Sequence, residues 1–179
     1  MIMFMMSKKL VIYDFDGTLF RSLDEVEGKR LYKEKTGVSW PYRGWWGCLE
    51  SLMPPLVPEV PGNDWFNSSV VSAQKNDDGY LVLMTGRLGV FKERIMDLLK
   101  VGEMSFDEIY FGESGVNTFV MKTERIKEIL GRGDYSVLEI WEDRVDHIDG
   151  FVKLCGEMKG FLIEIAFVHD VLRKKVIHI

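Results

Sequence analysis

Apolar and β-branched residues gather along this chain in five short runs, at residues 10–13, 80–84, 108–111, 137–141 and 161–167. Each has the length and texture of a buried strand. Between them the period lengthens. "LGVFKERIMDLLKVG" sets Val90, Ile95, Leu98 and Leu99 on one side of a helix and closes at Gly102, and "TERIKEILGRG" and "HIDGFVKLCGEM" read the same way. Strands that alternate with amphipathic helices predict an α/β fold, a parallel sheet with helices on both faces. The closing "LRKKVIHI" reads as a terminal edge strand, and "GRGD" at 131–134 as a turn between helix and strand.

Residues 19–79 break this rhythm. They open with a helix over 23–35 and continue through "TGVSWPYRGWWGCLESLMPPLVPEVPGNDWF", where all five prolines and four of the five tryptophans fall. Such a stretch predicts a loop-rich Trp/Pro flap at about 36–66, inserted after the first strand, rather than more sheet.

A chain of 179 residues is most simply one domain, 1–179, large enough for a real core. No apolar run reaches the roughly 20 residues of a membrane span. The start, "MIMFMMSKKLV", places its lysines after the apolar stretch and lacks a cleavage site, so it reads as a lead into the first strand and not as a secretion signal. Two cysteines without metal-ligand spacing predict a reducing, cytoplasmic setting. A net charge of −5 excludes broad electrostatic gripping of nucleic acid, although a local basic groove is compatible with it. No protein partner is evident.

In a parallel sheet the residues just after each strand collect at one edge, and ligands bind there. Those residues are Asp14, Asp16, Gly17 and Thr18 after the first run, Thr85, Gly86 and Arg87 after the second, and Glu142, Asp143 and Arg144 after the fourth. Lys122 falls at or just before the start of a helix between the third and fourth. Acids, a lysine and a small hydroxyl suit phosphoryl transfer. Asp14 is placed to attack phosphorus, Asp16 to give and take a proton, and Gly17 to let the backbone turn. So many carboxylates call for a cation, and Mg²⁺ among Asp14, Asp16, Glu142 and Asp143 would meet that need. Thr85 and Lys122 would then hold the phosphate.

"DFDGT", "LMTGR", Lys122 ahead of its helix and "WEDR", in that order, resemble the four motifs of the haloacid dehalogenase (HAD) superfamily of phosphatases, over about residues 8–167. "WEDRVDHIDGF" with "LMTGR" and the "GWW" insert is similar to the Swiss-Army-knife RNA-repair-like HAD domains and to the phosphatase half of polynucleotide kinase-phosphatases. The resemblance implies a Rossmann-like HAD core and a Mg²⁺-dependent phosphomonoesterase that works through an aspartyl-phosphate. Its substrate would be the 3′ or 5′ phosphate of an RNA or DNA end. Nucleoside monophosphates and other small phosphates are the alternative, and a non-catalytic HAD-fold binding module is a third reading. A kinase phosphate loop, GxxxxGK[ST], does not occur. Glu142 stands where the commoner HAD pattern has aspartate, which leaves open whether Glu142 or Asp143 meets the metal. Lys127 rivals Lys122. Arg87 and Arg144 either bind substrate phosphate or pair with the acids of the cluster. His147 is expected to support its neighbours rather than to catalyse. Trp40, Tyr42, Trp45 and Trp46 read mainly as packing for the insert, with base stacking as the other use of such rings and Arg43 as its phosphate contact.

Overall fold

A computed structural model describes residues 8–158, 162–167 and 174–178. Six strands form one sheet in the order β3-β2-β1-β4-β5-β6. They are β1 (Lys8–Tyr13), β2 (Tyr80–Leu88), β3 (Glu108–Gly112), β4 (Tyr135–Glu142), β5 (Leu162–Phe167) and β6 (Lys174–His178). The first five run parallel, and β6 closes one edge antiparallel to β5. Phe161, predicted to open the fifth strand, the lead at residues 1–7, and residues 172, 173 and 179 of the closing segment lie outside the described residues.

Strand alternation divides the core in two. Val11, Tyr13, Leu81 and Leu83 face one side, where Val70 and Val71 of α2 (Ser68–Asn76) and Ile95, Leu98 and Leu99 of α3 (Lys92–Val101) cover them. Leu10, Ile12, Val82 and Met84 face the other, beneath Ile126 and Ile129 of α4 (Thr118–Arg132) and Ile148 and Phe151 of α5 (Val145–Glu157). Both faces are therefore dry, which is what lets a parallel sheet consist of nearly continuous apolar runs. Among the described residues, no helix is long and apolar enough to cross a membrane.

Three elements depart most from the sequence prediction. Strand β2 continues past Met84 through Thr85, Gly86 and Arg87, because pairing with β3 resumes at Leu88↔Gly112 after a register shift. Helix α2 was not foreseen. "SSVVSAQKN" is poor in strong helix formers, and the burial of Val70, Val71 and Gln74 holds it in place. Helix α4 begins at Thr118, five residues before the predicted start, where Asn117 caps it by accepting from the N–H of Phe119 (2.9 Å) and of Val120 (3.2 Å).

The long β1 to β2 connection carries α1 (Glu25–Thr36), which starts at the N-cap Asp24 and ends at Gly37 in the left-handed region (φ 77°). After it come coil and two short 3₁₀ turns, Leu49–Leu52 and Asn63–Trp65. Gly28 is the one buried residue of α1, because Trp45 lies where its side chain would go: a Cβ there would sit 2.0 Å from the indole. Arg94 of α3, itself buried, ties this stretch to the core by donating to the carbonyls of Leu52 (2.9 Å), Pro58 (2.7 Å) and Glu59 (2.9 Å).

Candidate active site

Strands β1 and β4 are neighbours, while the chain continues from β1 outward to β2 and β3 on the opposite side. Their carboxyl ends flank the point where strand order switches, which opens a crevice in folds of this kind. A cleft of about 760 Å³ lies there, and Asp14, Asp16, Gly17, Gly86, Arg87, Lys122, Asp143 and Arg144 all line it. Ser22, Asp24, Trp46, Thr118 and His147 complete the lining.

The floor is a buried charge network. Lys122, one turn into α4 and 1% exposed, donates to Asp14 Oδ1 (2.5 Å) and Glu142 Oε2 (2.7 Å). Its rival Lys127 is exposed on the outer side of the same helix. Glu142 Oε2 also meets His147 Nδ1 (3.2 Å), and Glu142 Oε1 accepts from the backbone N–H of Asp143 (3.2 Å) and Arg144 (3.3 Å). His147 thus braces Glu142, in the supporting role expected of it.

One ammonium serves two carboxylates, and a third is close by. Ligand atoms of Asp14, Glu142 and Asp143 fall within 4.8 Å of one another. Burial alone would push Glu142 up, but the His147 hydrogen bond and the Lys122 charge hold it down at about 2. Burial raises Asp14 well above the usual carboxylate range, and the charges of Glu142 and Asp16 add to this against the pull of Lys122. Asp143 is pushed up to about 7 by burial, then by its hydrogen bond with Glu142 and the charge of that group. Its Oδ1 is buried without a hydrogen-bond partner.

These residues fit a divalent cation. The orphaned Asp143 oxygen and the surplus negative charge are what a bound cation would satisfy. Gly17 makes the room. It sits at φ 75°, and a Cβ there would lie 2.2 Å from Asp143 Oδ2. Of the two acids left open by the sequence, Asp143 has the uncommitted oxygen and Glu142 is already bonded to Lys122 and His147.

Asp16, two residues beyond Asp14, is placed differently from the sequence expectation and is not among the three clustered carboxylates. A guanidinium at the end of β2 captures it: Arg87 Nε bonds both oxygens (3.1 and 3.0 Å) and Nη2 bonds Oδ1 (2.8 Å), while the Ser22 hydroxyl donates to Oδ1 at 2.6 Å. Arg87 itself is 2% exposed and reaches across to the insert, where Nη1 donates to the Trp46 carbonyl (3.1 Å) and Ser51 Oγ (2.7 Å). Arg87 thus pairs with an acid of the site, one of the two uses weighed for it.

Thr85 is fully buried and is not part of the cleft lining; its Oγ1 accepts the Arg87 N–H at 3.1 Å. Thr118, at the start of α4, offers a hydroxyl residue to the cleft where Thr85 was expected. Arg144 lines the cleft with a half-exposed side chain that pairs with Asp146 at 2.7 Å. Sequence reading did not single out Ser22, Thr118 or Asp24. They lie outside the four motifs, and only the approach of β1, α1 and α4 brings them to the cleft.

A parallel α/β sheet with an acid and lysine cluster at its carboxyl edge is consistent with the Rossmann-like core of HAD domains. The chain belongs to the HAD domain family 1 in Swiss Army Knife RNA repair proteins, whose family model matches residues 39–179. The Asp14–Thr18 segment precedes the matched span. Among solved structures, a chain of the "Structure of Pnkp1/Rnl/Hen1 complex" is similar at 16% identity, with a TM-score of 0.53, over 89% of this chain and 46% of that one. That likeness is one of fold, and this chain spans less than half the length of the one it matches. A search of curated proteins finds no match.

Proposed function

We propose that this protein is a Mg²⁺-dependent phosphomonoesterase that removes terminal phosphates from nucleic-acid ends. The observation that carries the reading is the meeting of Asp14, Glu142 and Asp143 within 4.8 Å over one buried lysine, on the floor of an open cleft. Membership of a family found in RNA repair proteins supports the choice of substrate class.

Asp14 and Asp143 would hold the ion, with Glu142 behind them. When bound, Mg²⁺ would cancel carboxylate charge and polarise the phosphate oxygens. Lys122 orients Asp14 through its 2.5 Å hydrogen bond and presents a positive charge to an incoming phosphate. A carboxylate oxygen of Asp14 attacks phosphorus as the ester oxygen leaves, and that oxygen takes a proton from Asp16. Water then attacks the aspartyl-phosphate, giving its proton to Asp16 and releasing inorganic phosphate with Asp14 restored. Arg87 and Ser22 keep Asp16 beside the cleft for both proton transfers. Gly17, Gly86 and Arg144 border the phosphate, and Thr85 supports Arg87 from behind.

The test is phosphate release, with Mg²⁺ or EDTA, from 3′- and 5′-phosphorylated RNA and DNA oligonucleotides, nucleoside monophosphates and sugar phosphates. Release should require Mg²⁺, favour an oligonucleotide end, and fall on the order of 10⁴-fold or more in Asp14→Asn. Preference for small phosphates would retain the chemistry and reject the nucleic-acid end. No Asp14-dependent release from any substrate would reject the enzyme and leave a binding module.

A further inference from the structure

The four tryptophans of the insert region have separate fates. Trp45 is 2% exposed, lies over Gly28 and donates its indole N–H to the Leu23 carbonyl at 3.0 Å. Trp40 packs among Tyr32, Tyr42 and Trp45 with ring centroids about 5 Å apart, and Trp65 stacks on Phe20 at 5.7 Å. Trp40 and Trp45 are thus packing residues, as the sequence suggested, and Trp65 joins them. Trp46 has no ring neighbour among the described residues, is 47% exposed, and lines the cleft with Asp14, Lys122 and Asp143.

Its environment is unusual for an exposed aromatic because the layer behind it is hydrogen-bonded in place. The Arg87 guanidinium sits 4.9 Å from the Trp46 ring centroid and 4.9 Å from that of Phe91, so Phe91, Arg87 and Trp46 form three layers. Asp16 and Ser51 hold Arg87, and it also bonds the Trp46 carbonyl. The indole is therefore held at both its backbone and its ring. A flat ligand that stacks on it does so with little further loss of side-chain freedom, which is how preorganised sites gain affinity.

From this we infer that Trp46 is a stacking platform for a nucleobase at or next to the phosphorylated end, and so selects nucleotides over other phosphate esters. The inference rests on the phosphatase reading and names the part of the substrate that the reading leaves unspecified. An aromatic, planar group takes best advantage of an indole whose rear face is covered by a guanidinium held by Asp16 and Ser51. A nucleobase has that form and carries its phosphate a few bonds away, toward Asp14. Stacking tolerates any base, so the platform gives selection for nucleotides with little sequence preference.

The experiment uses the full chain and pairs of oligonucleotides that carry the same terminal phosphate, with the terminal nucleotide base-bearing or abasic. Wild type should favour the base-bearing member of the preferred pair by about 10-fold or more in kcat/KM. Trp46→Leu should collapse that ratio toward one, and Trp46→Phe should keep most of it. Equal losses on both members in Trp46→Leu, or no preference in wild type, would overturn the inference. Binding is read separately by tryptophan fluorescence in Asp14→Asn. Base-bearing oligonucleotides should quench more than abasic ones, and the difference should vanish in Asp14→Asn/Trp46→Phe. If no phosphate is released but this quench persists, the phosphatase reading fails and the platform stands; absence of the quench difference removes the platform whatever the activity.

Discussion

The two ends of the same strands treat charge in opposite ways. At the amino edge, Glu108 opens β3 and accepts from Tyr80 at 2.6 Å and from Arg132 at 2.6 Å, with the Tyr110 hydroxyl also bonded to it. Lys9 pairs with Asp77 at 2.6 Å, and Lys8 lies over the Tyr135 ring at 4.9 Å. Lys9 also reaches Glu139 at 3.4 Å, and Glu139 accepts from the Trp141 indole N–H at 2.6 Å, so each of these acids is hydrogen-bonded. At the carboxyl edge, Asp14 and Glu142 share Lys122 in a buried floor, Asp143 stands within 4.8 Å of them, and one of its oxygens has no partner. An edge whose acids are all hydrogen-bonded needs nothing further, whereas an edge with an orphaned buried carboxylate oxygen is arranged for something that binds.

Removing Lys122 should give the largest effect and the sharpest contrast. Lys122→Ala leaves Asp14 and Glu142 buried against each other, a loss of about 3–5 kcal/mol by analogy with other broken buried pairs. Urea denaturation in EDTA measures it. Arg132→Ala at the amino edge should cost far less, because that side chain is half exposed and its pairing with Glu108 is screened by water. Equal losses at the two edges would break the comparison.

Asp143→Asn should act in the reverse direction. With its folded pKa raised from 3.8 to about 7, metal-free Asp143 binds its proton more tightly in the native than in the unfolded state. Native stability therefore falls as pH rises from about 4 to about 7, and the loss is complete above that. In EDTA at pH 8, Asp143→Asn should be more stable than wild type by about 1–2 kcal/mol, allowing for partial solvent access. Mg²⁺ should raise the melting temperature of wild type and leave that of Asp143→Asn nearly unchanged. A destabilised Asp143→Asn would mean that the carboxyl edge is as well matched as the other.

The smallest effect belongs to Glu108. Hydrogen bonding from Arg132 holds it down from 4.5 to about 2, with Tyr110 and Tyr80 assisting against burial. A depressed carboxylate contributes stability that is fully present above pH 4.5 and is lost as pH falls through 2. Wild type should thus lose about 1 kcal/mol or less over that window relative to its own value at pH 6. Glu108→Gln should show a flatter acid limb in chemical denaturation. Identical acid limbs would remove Glu108 from the account of the amino edge.

The carboxyl edge was readable in the sequence and the amino edge was not. Asp14, Lys122, Glu142 and Asp143 sit just after strands or at a helix start, where topology must collect them, and their chemistry restricts the residue types. The Lys9–Asp77 and Arg132–Glu108 pairs span 68 and 24 positions and obey no spacing rule. Nor could composition separate Trp45 from Trp46, consecutive residues of which one is buried beside Gly28 and the other stands at the cleft.

The chain determined by itself the α/β order, the two dry faces of the sheet and the acids and lysine at its carboxyl edge. Strand and helix periods are local properties, and a parallel sheet gathers the residues just after its strands in one place. Tertiary structure alone decided that Asp16 turns to Arg87 and away from the three clustered acids, that Thr85 retreats behind the cleft while Thr118 enters it, and that α2 is a helix at all. Each of those outcomes depends on groups far apart in sequence competing for the same partner or the same volume, and that competition is settled only when the elements pack.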